Sequence, residues 1–105
     1  MIAGDGTSMS QEHQKYRFSA MLQTHDVAAL HCLRALCQHH AGGKYPQIGW
    51  GGTKQSEWKS QDGKFVVRFT SPSGRDAFFK DAKRLLAAYW TELARSDNDP
   101  ATPQR

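Results

Sequence analysis

Apolar and polar side chains alternate along residues 16–22 of the chain, the apolar ones being Tyr16, Phe18, Ala20 and Leu22. A period of two predicts a β-strand with one buried face, because successive side chains of a strand point to opposite faces. A helix that is capped at Ser10 and continues through the same segment is the competing interpretation.

The next segment has helical spacing and predicts a helix that ends at Gly42-Gly43, since glycine is typical of helix C-termini. Thr24 is the expected N-cap, and Asp26 lies in the first turn, where the helix dipole favours an anion. The predicted buried stripe consists of Ala29, Leu30, Leu33, Leu36, Cys37 and His40.

The pattern in the middle of the chain predicts a short strand and, after it, a β-hairpin. Residues 44–50 resemble a short, irregular strand, in which Pro46 indicates an edge position. A hairpin is expected from residues 57–60, a turn at Gln61-Asp62-Gly63 and a strand over residues 64–70, because Asp-Gly supplies positive φ. The predicted buried face of the second strand consists of Phe65, Val67 and Phe69.

Ser71-Pro72-Ser73 is typical of a helix N-terminus and predicts a helix that runs to about residue 95. Its expected apolar stripe consists of Phe78, Ala82, Leu85, Leu86, Tyr89 and Leu93. The elements then follow in the order β-α-β-β-β-α. This order predicts an α+β two-layer sandwich, with an antiparallel sheet of three to four strands and two helices on one face.

The composition of the two ends of the chain indicates where the folded domain begins and ends, and the domain has a higher net charge than the whole chain. Residues 1–14 and 96–105 are polar and are expected to form flexible tails, which leaves a single domain over residues 15–95. The whole chain of 105 residues carries a formal charge of +4. Thirteen Lys and Arg against six Asp and Glu give residues 15–95 a charge of +7, so the tails are weakly acidic and the domain is basic.

Several classes of protein are not expected. No apolar run is long enough for a membrane-spanning helix, and the first residues lack the features of a secretory signal. Two cysteines are too few for a disulfide scaffold, and Cys32 and Cys37 diverge on a helix because they are five residues apart. A cytoplasmic protein with two reduced thiols is therefore expected.

Catalytic and metal chemistry are also not expected. His and Cys are concentrated in the predicted first helix, but only Cys37 and His40 are spaced so that both could bind the same metal ion. Two ligands do not make a metal site. Cys32 is the one plausible reactive thiol, and the acidic residues form no evident acid–base pair. The sequence thus indicates no enzyme, no cofactor, no metal and no small-molecule substrate.

Nucleic-acid binding is one expectation for the basic domain. Arg17, Lys64 and Arg68 are predicted on the strand face away from the core, where cations can follow a phosphate backbone. The element order invites comparison with an RNA-recognition motif. However, Lys64 and Val66 stand where that motif carries its stacking aromatics, so the motif is not present.

Protein binding is the favoured expectation. The candidate contact residues are Tyr45, Trp50, Lys54 and Trp58. Large aromatics beside basic residues are the usual composition of interface hot spots. The predicted edge strand that contains Tyr45 offers a place for a partner strand or for a second copy of the chain. We therefore expect a small non-enzymatic domain that binds a protein partner or forms a homodimer, with nucleic acid as the alternative.

Overall fold

The computed structural model describes residues 11–42, 44–50 and 54–101. The elements in chain order are α1 (Gln11–Lys15), β1 (Phe18–Gln23), α2 (Val27–His40), α3 (Pro46–Gly49), α4 (Gln55–Ser60), β2 (Lys64–Phe69), α5 (Pro72–Leu86) and β3 (Thr91–Ser96). Within these residues the strands form an antiparallel sheet in the order β2-β1-β3, so the first strand is central. The expected α+β class is confirmed, with the sheet packed against two main helices, but the order of elements differs.

The core lies between one face of the sheet and helices α2 and α5. Ala20 pairs with Val67 and Leu22 pairs with Phe65, and all four side chains are buried. The predicted alternation on β1 and β2 is therefore confirmed, and a helix over residues 18–23 is wrong. The helices add the buried side chains Leu30, Leu33, Cys37, Phe78, Phe79 and Ala82 to this cluster.

Helix α2 begins two residues later than the sequence predicts. The carboxylate of Asp26 accepts hydrogen bonds from the backbone N–H groups of Ala28 and Ala29, at 2.8 and 3.1 Å, so Asp26 is the N-cap. Thr24 instead donates its hydroxyl to the carbonyl oxygen of Tyr89 at 2.6 Å, which ties the start of α2 to the segment after α5. The predicted C-terminus is confirmed at Gly42, whose φ is +80°, while Gly43 lies outside the described residues.

The predicted strand over residues 44–50 is wrong. Residues 46–49 form the single turn of α3, and proline at the first position of a helix sacrifices no helical hydrogen bond. The edge-strand interpretation of Pro46 fails for this reason. The small α3 turn lies against the outer edge of β2, where Gly49 is buried beside Arg68.

The predicted hairpin is also wrong, because its first half is helix α4. Asp62 and Gly63 have φ of 62° and 76°, as the sequence indicates, but they end a helix rather than join two strands. The N–H of Gly63 donates to the carbonyl of Trp58, and the N–H of Asp62 donates to that of Lys59. These two bonds are those of a Schellman motif, so the Asp-Gly pair acts as a helix C-cap.

The start of the last helix is confirmed and its end is not. Ser71 caps α5 by accepting a hydrogen bond from the N–H of Gly74 at 3.1 Å, and Pro72 occupies the first helical position. The helix ends at Leu86, and residues 91–96 form β3, which pairs with β1. Pairing with an otherwise open strand outweighs the helical preference of this segment. Neither α5 nor any other described helix has the length and apolar content to cross a membrane.

Part of the predicted C-terminal tail packs against the beginning of the domain. The N–H of Asp99 donates to the carbonyl of Arg17 at 2.8 Å. Ala101 is buried, and its N–H donates to the carbonyls of His13 and Tyr16. The packed domain therefore extends past residue 95 and begins before residue 15. Residues 1–10 and 102–105 of the predicted tails lie outside the described residues.

Candidate functional site

Tyr45 and Trp50 flank the one-turn helix α3. Tyr45 is 48% exposed, and its backbone N–H donates to the buried hydroxyl of Tyr16 at 3.1 Å, which holds the backbone in place. Trp50 is half-buried, and the guanidinium carbon of Arg34 lies 5.0 Å from the centre of its ring. This is a cation–π geometry, and burial lowers the pKa of Arg34 from its ordinary value.

The other two protein-contact candidates have different surroundings. Lys54 is exposed and immediately precedes α4. Trp58 is only 2% exposed, and its indole N–H donates to the carbonyl of Gly63 at 3.0 Å. Helix α4 directs this ring into the core, so Trp58 is unavailable as a surface contact, contrary to the prediction. We name Arg34, Tyr45 and Trp50 the α3 surface; Lys54 remains a separate exposed candidate at the start of α4.

Of the nucleic-acid candidates, Lys64 and Arg68 lie on β2 and Arg17 immediately precedes β1, and both arginines have partners within the domain. Arg68 donates from Nε to the carbonyl of Asp99 at 2.9 Å and from Nη2 to its carboxylate at 3.2 Å. Arg17 donates from Nε to the carbonyl of Gln14 at 2.9 Å. Lys64 is exposed at the start of β2. The segment after β3 thus reduces the positive charge that this sheet face offers.

The sheet face away from the core has a shallow pocket of about 120 Å³. Residues that line it include Ser19, Met21, Val66, Ala94, Ser96 and Asp99. None of these is aromatic, whereas proteins that bind single-stranded nucleic acid stack bases on aromatic rings. The pocket therefore lacks one of the two components that the nucleic-acid prediction requires.

Acidic side chains of the described chain are largely paired. The carboxylate of Asp81 lies 2.7 Å from Nε2 of His40 and 3.2 Å from Nη2 of Arg84. These two hydrogen bonds, the one to His40 foremost, lower the pKa of Asp81. Asp97 and Asp99 pair with Arg75 and Arg68. Exposed lysines, among them Lys44, Lys54, Lys59, Lys64, Lys80 and Lys83, carry the excess positive charge.

The two thiols are both free and differ in environment. Cys37 is buried and donates weakly to the carbonyl of Arg68 at 3.7 Å, and burial raises its pKa to about 12. Cys32 is exposed on α2. Among the described residues, no three His, Cys, Asp or Glu side chains come close enough together to hold a metal ion.

We expect alkylation to distinguish the two cysteines. Iodoacetamide at neutral pH should label Cys32 in the native protein and leave Cys37 unlabelled, because a buried thiol is neither accessible nor ionised. Intact-mass spectrometry checks the number of labels. The Cys32→Ser variant should take no label until urea unfolds it, and native labelling of that variant would contradict the burial of Cys37.

Strand β3 is the surface feature that the sequence prediction missed. It lies at one edge of the sheet, and its side chains Thr91, Leu93, Ala94 and Arg95 are exposed. The composition of residues 91–96 is that of a good helix, so the local sequence contains no strand signal. The signal for this strand is tertiary, because it pairs with the free side of the central β1.

Comparison with known proteins gives no relative. No protein-family model matches the chain, and neither a curated protein nor a solved structure matches it.

Proposed function

We propose that this protein is a binding domain for another protein and that its α3 surface makes the contact. The observation that carries the proposal is the guanidinium of Arg34 over the ring of Trp50, beside an exposed Tyr45. Tyr, Trp and Arg are the residue types that contribute most to interface affinity.

The α3 surface is pre-organised for such a contact. The hydrogen bond from the backbone N–H of Tyr45 to the hydroxyl of Tyr16 links the exposed tyrosine to a buried residue. Trp50 packs partly against the core and partly under Arg34, so its ring has little freedom to lose. Side chains that are already ordered lose less entropy when a partner binds. Arg34 supplies a cation at this surface, which favours an acidic partner surface, and Lys54 is exposed at the start of α4.

Two observations favour a protein partner over the nucleic-acid alternative. Arg17 and Arg68 already donate hydrogen bonds inside the domain. The open sheet face has no aromatic side chain in its pocket lining. We assign no catalytic role, since the thiol of Cys37 is buried and has a raised pKa.

The proposal predicts that Tyr45 is required for binding and that another exposed tyrosine is not. Tyr45→Ser should weaken partner binding about 30-fold, the usual size of a hot-spot loss. Tyr89→Ser is the matched control, because Tyr89 is 56% exposed and follows α5, outside the α3 surface. The experiment compares tagged wild type and both variants in nuclease-treated lysate of the native host, by quantitative mass spectrometry.

The proposal is supported if the wild type and Tyr89→Ser retain a protein that Tyr45→Ser does not. Isothermal titration calorimetry with that purified protein should then reproduce the difference in affinity. Equal retention by all three forms contradicts it. A mixed-sequence oligonucleotide titration at about 50 and 200 mM salt tests the alternative. Tight binding that weakens steeply with salt, together with no Tyr45-dependent protein, would establish nucleic acid as the ligand instead.

A further inference from the structure

Among the described residues, the sheet has one covered edge and one open edge. At the edge of β2, the thiol of Cys37 lies against the carbonyl of Arg68, and Gly49 packs so closely that an added Cβ would be 3.0 Å from the same oxygen. On the other side of the sheet, β3 pairs with β1, and no described strand pairs with its outer edge. An open edge presents unpaired backbone groups to solvent.

The hydrogen-bonding pattern identifies which backbone groups of β3 face outward. The N–H of Thr24 donates towards β2, to Gly63, and the carbonyl of Arg17 accepts on the side of β3, from Asp99. The backbone N–H and C=O groups of successive strand residues point alternately to the two neighbouring strands. Those of the even-numbered residues of β1 therefore point towards β2. Glu92 and Arg95 lie opposite the even-numbered Leu22 and Ala20. Their N–H and C=O groups therefore point away from β1, into the open edge.

The side chains of Glu92 and Arg95 share one face of the sheet. Their partners Leu22 and Ala20 both face the core, and a register shift after Met21 inserts one extra residue into β3. This bulge places two residues that are three apart on the same side. The guanidinium of Arg95 lies 4.2 Å from the ring centre of Phe79, on α5, and also pairs with Glu92.

We propose that β3 pairs antiparallel with β3 of a second copy of this chain, which extends the sheet to six strands. A two-fold axis between Leu93 and Ala94 brings Glu92 of each copy opposite Arg95 of the other. The outward backbone groups of both residues then hydrogen-bond across the axis, and opposite charges face each other on the helix side of the sheet. The strand is thus complementary to its own reversed copy, which an isologous interface requires.

The geometry around β3 permits this arrangement. Helix α5 contacts β3 through Arg75 and Phe79 on one face of the sheet, and no described strand lies along the outer edge of β3. Leu93, 42% exposed, lies next to the axis and would be covered in the dimer. A single pair of six-residue strands buries less area than a typical stable interface, so the dimer is expected to be weak and concentration-dependent.

The experiment uses two charge reversals, Glu92→Lys and Arg95→Glu, in the full chain. Sedimentation velocity from about 1 µM to 1 mM should show a monomer–dimer equilibrium for the wild type. Each variant alone places like charges opposite each other and should dimerise about tenfold more weakly. An equimolar mixture restores opposite charges at both contacts, so the two variants should form a heterodimer of wild-type affinity.

The mixture separates this proposal from simple damage to the fold, because a destabilised strand is not rescued by a second destabilised strand. Near-UV circular dichroism verifies that each variant is folded. Amide exchange of Glu92 and Arg95 in the wild type should slow as concentration rises, while that of β2 stays constant. A monomeric wild type at about 1 mM, a dimer that both variants retain, or exchange that is independent of concentration would each overturn the proposal.

The self-association proposal is independent of the α3 surface. Tyr45→Ser should dimerise as the wild type does, and Glu92→Lys should retain any protein that binds through Tyr45. Failure of one proposal therefore leaves the other standing. Dimerisation that is lost in Tyr45→Ser would place the contact between copies at α3 and overturn the pairing at β3.

Discussion

Trp58→Ala is expected to lower the free energy of unfolding by about 3–5 kcal/mol, the usual cost of deleting a buried aromatic ring. The indole fills the space between α4 and the sheet and is only 2% exposed, so its removal leaves a cavity as well as lost apolar contact. Small domains have a total stability of about 5–15 kcal/mol, and the variant should therefore be close to unfolding. Urea unfolding followed by far-UV circular dichroism measures the change.

Two variants separate the ring of Trp58 from its hydrogen bond. Trp58→Phe should cost about 1–2 kcal/mol, because most of the cavity stays filled and one indole N–H bond is lost. The carbonyl of Gly63 that accepts this bond also accepts from Thr24, so it is not left unpaired. Tyr45→Ala should cost less than about 1 kcal/mol, as expected for an exposed side chain. Equal costs at positions 45 and 58 would contradict the assignment of Trp58 to the core.

Arg75→Ala is expected to have the second largest effect, about 3 kcal/mol. Arg75 is 6% exposed and enters the sheet from α5. Its Nη1 donates to the carbonyls of Ser19 and Ser96, at 3.2 and 3.0 Å, so one side chain joins the helix to β1 and β3. Thermal unfolding should shift downward, and exchange of the β3 amides should accelerate more than that of the β2 amides.

The exposed partner of Arg75 serves as the control. Nη2 of Arg75 lies 2.7 Å from the carboxylate of Asp97, but the side chain of Asp97 is 68% exposed. Water screens such a pair, and Asp97→Asn should change the free energy of unfolding by no more than about 0.5 kcal/mol. If Asp97→Asn costs as much as Arg75→Ala, the ion pair rather than the carbonyl contacts holds β3 in place.

The sequence predicted those elements in which local pattern and tertiary burial agree. Phe65, Val67 and Phe69 alternate in the sequence and all point into the core. The stripe of α2 and the cap of α5 at Ser71 are equally visible, because each depends on neighbours within one or two turns. The α+β class and the antiparallel sheet followed from these elements.

The errors arose where one local signal suits two structures. Asp62-Gly63 supplies two residues with positive φ, which serve a hairpin turn and a Schellman cap equally well. The hydrogen bonds from the N–H groups of Gly63 and Asp62 to the carbonyls of Trp58 and Lys59 distinguish the helix cap from the hairpin turn. They form only if the preceding residues are helical. Residues 91–96 form a strand only because β1 has a free side, which is not a property of those six residues.

The candidate site was predicted in part. Tyr45, Trp50 and Lys54 are candidates because aromatic and basic residues cluster in the sequence, and the structure leaves them exposed or half-buried, while their role in binding stays a prediction. Trp58 has the same residue type and was assigned to the same group, but its burial follows from the helical turn of α4. Arg34 was missed, since it lies on another element and only the fold brings it over Trp50.

The position of β1 in the centre of the sheet has a consequence for how the chain folds. Its partners on β2 follow 41–51 residues later in the sequence and those on β3 follow 68–77 residues later, so neither ladder is a local structure. During synthesis the central strand leaves the ribosome before either neighbour, and it must wait with both edges open. Folding of this small domain should therefore be slower than its length suggests, with its final sheet closure dependent on the last strand to emerge.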